Sequence, residues 1–352
     1  MKAQCPPLGL LDARPRARFL STATPLEPLP NLGRCHERDD VFVKRDDLTG
    51  LALGGNKVRQ LEFYLGEAVA QGADTLLITG AVQSNFVRMA VAAARKCAMD
   101  CHVQLEERVP SNDSLYRQSG NVLIERMLGA NFHFYPEGED EAGADARLHQ
   151  IADELKEAGR KPYIIHLSPG HAPLGALGYV DAARELLGQL ADEEVEADEI
   201  VVASGSGHTH AGLLFGLRAL GSPMTVTGVC VRRPAPLQKP RLMERCQEIA
   251  ELLEITNPVS GDDIRLIDDH LAPGYGRASE QVLEAMREVA RRDALLTDPV
   301  YTGKSVTGLL DRLKETPPGS GVIFLHTGGL PALFAYEHVL AETFPPVDFQ
   351  AG

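Results

Sequence analysis

The sequence lacks tryptophan, any excess of basic charge and any long apolar run. Aromatic residues make up 5% of the 352 residues, while 44% are hydrophobic and 24% are charged, which excludes collagen, coiled coil and disorder. The 35 basic and 49 acidic residues give 35 − 49 = −14 at pH 7, a charge that opposes nonspecific binding to nucleic acid or anionic membranes. No stretch approaches the roughly 18 to 20 consecutive apolar residues of a membrane span, and residues 1–11 lack the features of a secretory signal. We therefore expect a cytoplasmic protein with no nucleic-acid or membrane partner.

Cysteine is also scarce and scattered along the chain. The six cysteines form no C-x-x-C motif and no cluster with histidine at the spacing of a zinc site. We interpret them as reduced, mostly buried thiols and predict no metal site. They are Cys5, Cys35, Cys97, Cys101, Cys230 and Cys246.

Short apolar runs alternate with longer segments of helical periodicity, a pattern typical of α/β units around a largely parallel sheet. The chain is about 2.3 times as long as a typical domain of roughly 150 residues, so it fits one large domain or two smaller ones. Helices are predicted at 85–96 and 279–292, and the acidic stretches 137–157 and 192–198 are interpreted as solvated faces and connectors. The predicted strands are 41–47, 74–80, 101–107, 131–136, 162–168, 199–205, 225–231, 294–300 and 321–328.

Several glycines fall where predicted strands end, as at Gly80, Gly205 and Gly328. Ligands of open α/β sheets bind outside the carboxyl ends of the strands, so we expect the active site at that edge. Residues 205–209, which we call the anion loop, join a predicted strand to a helical run, and their small residues let backbone N–H groups converge on a phosphate. The loop matches neither G-x-x-x-x-G-K-[ST] nor G-x-G-x-x-G, and an ordinary tight turn is the alternative.

Further candidates for chemistry stand at helix starts and strand ends. Lys57 follows two glycines at the start of a helix, where an apolar setting can lower its pKa and allow a Schiff base, although a surface lysine is the alternative. Ser84 and Asn85 follow a strand and can either cap the next helix or bind a substrate carboxylate. Tyr301 and Thr327 place a phenol and a hydroxyl at two more strand ends, where ordinary turn chemistry is again the alternative.

Together, these segments resemble a family of pyridoxal-phosphate enzymes of the tryptophan-synthase-β type, or fold type II. The branch is the D-cysteine desulfhydrase and 1-aminocyclopropane-1-carboxylate deaminase family, which includes L-cysteate sulfo-lyase. The resemblance covers nearly the whole chain, and the combination of GGNK-x-R-x-LEF, QSN and HTGG is specific even though each motif alone is weak. The matching segments are 43–63, 79–94, 173–180, 203–213, 298–305 and 324–336.

The resemblance implies that pyridoxal 5'-phosphate is the cofactor and that Lys57 forms a Schiff base with its aldehyde. It also implies that Asn85 hydrogen-bonds the 3′-oxygen of the pyridine ring and that Thr327 partners the ring nitrogen. A neutral hydroxyl at that nitrogen suits elimination better than transamination. The cofactor phosphate would be held by the anion loop, which consists of Gly205, Ser206, Gly207, His208 and Thr209.

The substrate implied by the resemblance is a small amino acid. Gln83 and the catalytic Ser84 would hold its carboxylate, while Tyr301 would lie over the substrate and move a proton or assist the leaving group. The reaction would be an α,β-elimination on a cysteine-like amino acid that gives pyruvate, ammonia and sulfide.

Three positions depart from the family pattern. Phe86 stands where a histidine is usual, His171 belongs to a changed segment before PLGALGYV, and His208 replaces a small residue in the anion loop. We expect Phe86 and His171 to contact the substrate, and the added imidazoles to bind a second acidic group such as a sulfonate, although neutral spacers are the alternative. L-Cysteate sulfo-lyase is therefore kept as an alternative activity.

The cyclopropane deaminase is the less favoured alternative, because Thr302 and Thr327 replace the glutamate and leucine associated with that activity. Two hypotheses of another functional class remain: a pseudoenzyme that binds the cofactor without turnover, and a nucleotide-binding α/β protein. The resemblance implies a homodimer of two three-layer α/β/α domains with largely parallel twisted sheets. The larger domain would comprise residues 1–54 and 168–352, and the smaller one, which carries Lys57 and the QSN loop, would comprise 55–167.

Overall fold

The structure is a computed structural model and describes residues 8–168 and 170–347. Cys5 and the two outer ends of the larger predicted domain lie outside the described residues. Within the described ranges, no helix is both long enough and apolar enough to cross a membrane.

Ten strands in the described part of the chain form two sheets. The larger sheet has the order β1-β2-β10-β7-β8-β9, and the smaller has the order β5-β4-β3-β6. Neighbouring strands are parallel except for β1 and β2, which are antiparallel. The strands are β1 (Leu26–Pro28), β2 (Val41–Lys44), β3 (Thr75–Ala81), β4 (Asp100–Glu106), β5 (Asn131–Tyr135), β6 (Pro162–Ile165), β7 (Glu199–Ser204), β8 (Thr225–Cys230), β9 (Arg265–Ile267) and β10 (Val322–Leu325).

Helices connect most of the strands, as expected when parallel strands need crossover connections. Across residues 8–168 and 170–347 the α-helices are α1 (Gly9–Ala13), α2 (Pro30–Cys35), α3 (Lys57–Ala70), α4 (Asn85–Lys96), α5 (Ser114–Gln118), α6 (Gly120–Met127), α7 (Glu141–Glu157), α8 (Leu177–Asp192), α9 (His208–Ala219), α10 (Ala235–Leu253), α11 (Glu280–Asp293), α12 (Thr302–Glu315) and α13 (Glu337–Leu340). Short 3-10 turns occur at Asp46–Leu48, Leu51–Leu53, Leu174–Ala176, Gly261–Asp263 and Leu330–Ala335.

Each sheet is covered by helices on both faces. Because successive side chains of a strand alternate, Ile200 of β7 packs in the core with α8, α9 and α10, whereas Val201 packs with α11 and α12. In the smaller sheet Leu77 of β3 packs against α7, while Ile78 packs against α3 and α4. The prediction of an α/β protein with largely parallel sheets in three layers is confirmed.

One predicted strand, residues 294–300, is wrong. Ala294 ends α11 in the left-handed region with a φ of 54°, and Pro299 has no N–H to donate to a neighbouring strand. The buried Asp298 then folds the chain back, because its Oδ1 accepts hydrogen bonds from the backbone N–H groups of Val300 and Tyr301. The apolar composition of this segment therefore reflects burial in a turn.

Two further differences have simple physical reasons. The prediction omits β1 and β9, which have three residues each and are too short to show a periodic pattern. The acidic stretch 137–157 is mostly the helix α7, whose buried face consists of Ala144, Leu148, Ile151 and Ala152.

Candidate functional site

A cleft opens where the carboxyl ends of strands from both sheets meet, which is the edge that the glycines predict. It offers about 1150 Å³ of empty space, part of it continuous with solvent. Ten of the predicted site residues line it: Lys57, Ser84, Asn85, Phe86, Gly205, Ser206, Gly207, Thr209, Tyr301 and Thr327.

Lys57 begins α3, and a close packing of glycines fixes the loop before it. Gly54 and Gly55 have positive φ angles of 68° and 128°, and Gly328, which packs against Gly55, has a φ of 89°. A Cβ atom on Gly328 would lie 2.7 Å from the Cα of Gly55. Only glycine permits this approach, so the loops that carry Lys57 and Thr327 are locked together by their backbones.

The amine of Lys57 faces an apolar wall. Its Nζ lies 5.2 Å from the centroid of the Phe86 ring, and within residues 8–168 and 170–347 no carboxylate pairs with it. Desolvation therefore lowers the pKa of Lys57 to about 8. Lys57 thus lines the cleft, and its role as the Schiff-base lysine stays a prediction.

A buried ion network anchors α3 two residues after Lys57. Arg59 Nε donates to Asp46 Oδ2 at 2.9 Å, and its Nη1 donates to Glu185 Oε2 at 2.9 Å. Asp46 also accepts a hydrogen bond from the Tyr179 hydroxyl. Because such pairs are directional and largely buried, they fix the rotation of α3 and hence the direction of Lys57.

Residues 84–86 form a rim of the cleft close to Lys57. Ser84 caps α4, since its Oγ accepts a hydrogen bond from Val87 N at 3.2 Å, as the capping alternative predicts. Asn85 Oδ1 accepts from Asn121 Nδ2 at 3.0 Å, which leaves the Asn85 amide nitrogen available to a ligand. The Ser84 hydroxyl proton is likewise free because that oxygen is the acceptor in its cap.

Gln83 does not line the cleft. Its amide nitrogen donates to the carbonyls of Tyr116 and Ser119 at 2.6 and 3.0 Å, and its oxygen accepts from Asn121 N at 3.0 Å. These three hydrogen bonds fix the segment that in turn holds Asn85. Gln83 thus positions the rim.

The anion loop ends in the first turn of α9, whose N–H groups have no acceptors within the helix. Gly207 has a φ of 97°, which a side chain would disfavour. Thr209 Oγ1 accepts hydrogen bonds from Asn56 Nδ2 and Gln60 Nε2, both at 2.9 Å. Loop and helix together form a concave surface of donors that suits an anion.

The two unusual histidines lie away from the cleft lining. The His208 side chain is buried, and neither ring nitrogen has a partner among the described residues. Burial, followed by the charge of Arg245, lowers the pKa of His208 well below the usual value. His171 Nε2 lies 3.0 Å from Asp145 Oδ2. The expected contact of these imidazoles with a second acidic group has no geometric support, because one is enclosed and the other is already paired.

Tyr301 covers the cleft and shares a hydrogen bond with a residue that the prediction omits. Its hydroxyl contacts the hydroxyl of Tyr275, and the two rings meet edge to face with centroids 5.9 Å apart. Burial, and then Tyr275, raise the pKa of Tyr301 well above its usual value. Tyr301 is therefore a protonated donor at neutral pH.

Thr327 completes the floor of the cleft. Its carbonyl accepts a hydrogen bond from Asn56 N at 3.0 Å. Thr327 lines the cleft, and its hydroxyl has no hydrogen-bond partner among the described residues. A ligand atom can therefore take that hydroxyl as its partner.

Sequence reasoning also misses several lining residues. Tyr275 lies between Gly274 and Gly276, whose φ angles are 130° and 70°, and this G-Y-G turn was a usable signal. Three arginines line the cleft without any motif around them, each paired with a glutamate: Arg108 with Glu106, and Arg232 and Arg241 with Glu141.

Comparisons with known proteins agree on a family. The profile of the family described as "Pyridoxal-phosphate dependent enzyme" matches residues 18–328. Two relatives named D-cysteine desulfhydrase, from Salmonella paratyphi C and Salmonella typhimurium, are 41% and 40% identical over 332 residues, or 94% of this chain and 98% of theirs. A crystal structure described as an ACC deaminase homologue is 36% identical with a TM-score of 0.84, covering 97% of this chain and 99% of that one. An O-ureido-L-serine synthase, 16% identical with a TM-score of 0.62 over 97% of this chain and 96% of its own, shares the fold.

Proposed function

Because this chain belongs to the family of pyridoxal-phosphate-dependent enzymes, we propose that it is a carbon–sulfur lyase that converts D-cysteine to pyruvate, ammonia and sulfide. The observation that carries the proposal is the near full-length similarity to two D-cysteine desulfhydrases. The retained cleft residues Lys57, Ser84 and Tyr301 support the same activity.

The cleft fits the cofactor of this family. Lys57 supplies an amine whose pKa is lowered to about 8, and the anion loop supplies N–H donors for a phosphate. The free amide nitrogen of Asn85 and the free hydroxyl of Thr327 are available to the 3′-oxygen and the nitrogen of the ring. When bound, pyridoxal phosphate provides an electron sink that makes the Cα proton of an amino acid acidic.

The protonation state of each side chain determines its role in binding the substrate or moving a proton. The Ser84 hydroxyl and the start of α4 bind the substrate carboxylate, since both present donors to it. The amine of Lys57 would accept the Cα proton of the substrate, because its lowered pKa leaves it a usable base. Tyr301 stays protonated and donates to the departing sulfur, with Tyr275 hydrogen-bonded behind it.

L-Cysteate sulfo-lyase is the second candidate, and the cleft arginines favour it. Arg108, Arg232 and Arg241 bring positive charge to the cleft wall, where a sulfonate can compete with Glu106 and Glu141 for their guanidinium groups. The cyclopropane deaminase has support from the solved homologue of that description, but Thr302 and Thr327 still depart from its pattern.

A panel of D-cysteine, L-cysteine, L-cysteate, D-serine, 3-chloro-D-alanine and the cyclopropane acid tests these alternatives. We expect pyruvate and sulfide from D-cysteine with the highest kcat/KM. Pyruvate and sulfite from L-cysteate alone would replace the first proposal by the second. Binding of the cofactor without keto acid from any member would indicate a pseudoenzyme.

The attachment site has its own control. Lys304 is a second buried lysine with a pKa lowered to about 8, but its Nζ donates to the carbonyls of Leu271 and Gly274, both at 2.8 Å. After borohydride reduction of the holoenzyme, peptide mapping should find the cofactor on Lys57 and not on Lys304. A label on Lys304 would contradict the assignment.

The organisation of the chain is also part of the proposal. We propose a smaller domain, 55–167, inserted into a larger one, 1–54 and 168–352. The strands at 75–165 share one sheet, and those at 26–44 and 199–325 share the other, which supports this division.

A homodimer is supported by the exposed apolar side chains of Leu296 and Phe334, and light scattering measures the oligomeric state. A cytoplasmic location is supported by the cysteines of the described ranges, all five of which are free thiols.

A further inference from the structure

Three imidazoles and a carboxylate meet at the mouth of the cleft. Asp145 and His149 lie one turn apart on α7, so they project from the same face of the helix. His166 follows β6 and faces them. Asp145, His149 and His166 each offer one ligand atom, and these atoms all lie within 4.8 Å of one another.

The cluster is ordered by contacts among its own members. His166 Nδ1 lies 2.8 Å from Asp145 Oδ1, and His171 Nε2 lies 3.0 Å from Asp145 Oδ2. The rings of His166 and His171 stack with centroids 3.6 Å apart, and His149 stacks on His166 with centroids 5.1 Å apart. Such closely stacked rings repel one another when protonated, so the arrangement suits neutral imidazoles.

We propose that Asp145, His149 and His166 bind one divalent cation of the kind that prefers imidazole ligands, with Zn²⁺ as its representative. Neutral imidazole nitrogen and carboxylate oxygen are the donor set that such cations take. Three protein ligands leave a fourth position open to water or to a soft ligand such as a thiol. This site is independent of the proposed lyase activity.

Only a small adjustment closes the site. Bonds of about 2.0 to 2.1 Å to a tetrahedral Zn²⁺ place the ligand atoms roughly 3.3 Å apart. Atoms already within 4.8 Å reach that separation through side-chain rotations. His171 keeps its hydrogen bond to Asp145 Oδ2 and orients the carboxylate from outside, as second partners of metal ligands do.

The proposed metal site adjoins the wall of the cleft. Asp145 lines the cleft wall, and His166 belongs to the segment that leads to the lining residues Leu167 and Ser168. A bound cation therefore ties α7 to this segment and fixes one side of the cleft mouth.

Equilibrium dialysis of the chelator-treated holoenzyme against Zn²⁺ tests the proposal. We expect saturation at one Zn²⁺ per chain, and an affinity at least tenfold weaker in His149→Ala, whose exposed side chain makes the variant safe for folding. His338→Ala is the matched control, because His338 also pairs with a carboxylate, that of Asp113, away from the cluster. Cys35→Ser tests the exposed thiol as a competing site.

Three results would overturn the proposal. One is the absence of saturable binding by the wild-type chain. Another is equal Zn²⁺ affinity in wild type and His149→Ala. The third is a loss in Cys35→Ser or His338→Ala as large as the loss in His149→Ala. The same dialysis with Lys57→Ala should still find one Zn²⁺ per chain, so that failure of the metal site and failure of the lyase proposal are distinguishable.

Discussion

Replacing Gly328 by alanine tests whether the contact between the two glycine loops organises the cleft. An alanine there has two costs. Its φ of 89° lies in the left-handed region, which costs an L-residue about 1 to 2 kcal/mol. Its Cβ would also lie 2.7 Å from the Cα of Gly55, and relieving such a backbone clash costs about 1 to 3 kcal/mol more. We expect a total loss of about 2 to 5 kcal/mol in the free energy of unfolding.

Gly319 provides a matched control for the strain alone. Its φ is 90°, and nothing lies within 4 Å of an added Cβ. Gly319→Ala should therefore cost only about 1 to 2 kcal/mol. Urea unfolding of both variants, freed of cofactor and followed by circular dichroism, measures the difference.

The second measurement concerns the site. Gly55 immediately precedes Asn56 and Lys57, so displacing it moves the amine, and we expect Gly328→Ala to weaken cofactor binding while Gly319→Ala leaves it unchanged. Titration with pyridoxal phosphate, followed by visible absorbance, measures both affinities. Equal stability losses in the two variants together with equal cofactor affinities would refute the reasoning.

Three further predictions concern buried charges. In the cofactor-free protein, reductive alkylation of Lys57 by a small aldehyde should reach half its maximal rate near pH 8, because burial lowers its pKa to about 8; peptide mass spectrometry measures it, and a midpoint near the ordinary value of about 10.4 would contradict it. Glu125→Gln should stabilise the protein by about 1 to 3 kcal/mol at pH 8, since burial raises the pKa of Glu125 well above its usual value and neither carboxyl oxygen has a partner in the described ranges. The folded chain then holds a proton that the unfolded chain releases above about pH 4.3, so wild-type stability falls as pH rises through that value, and urea unfolding at pH 5 and 8 should show the gain shrinking at pH 5. Arg59→Met should cost about 3 to 5 kcal/mol, because it leaves the buried Asp46 without its main partner; the double variant with Asp46→Asn should recover part of this loss, and purely additive losses in urea unfolding would contradict a paired network.

Part of the cleft is predictable because several of its residues stand at positions with strong local signals. Lys57, Ser84 and Tyr301 stand beside glycines or at the start of a helix, where sequence reports backbone geometry directly. The helix at 85–96 is predicted with its exact bounds because Ser84 caps it and its apolar positions are periodic.

The remainder depends on contacts between distant segments. The sequence predicts that Gln83 binds the substrate, but in the structure its side-chain amide donates to the carbonyls of Tyr116 and Ser119. His171 likewise reads as part of a pocket, whereas its partner Asp145 lies 26 residues earlier. No motif or regular spacing in the sequence connects these residues with their partners. The packing of α5, α6 and α7 brings them into contact.

The side-chain amides of Asn56 and Gln60, which both bind Thr209, determine which charge state of a ligand the anion loop accepts. Asn56 and Gln60 both donate to the hydroxyl oxygen of Thr209, so the hydroxyl proton is what Thr209 has left to offer. A phosphate monoester that still carries a proton finds no acceptor for it at Thr209, whereas the dianion uses every donor. The site therefore favours the dianion, and a phosphate monoester should bind the cofactor-free protein more tightly as pH rises through about 6.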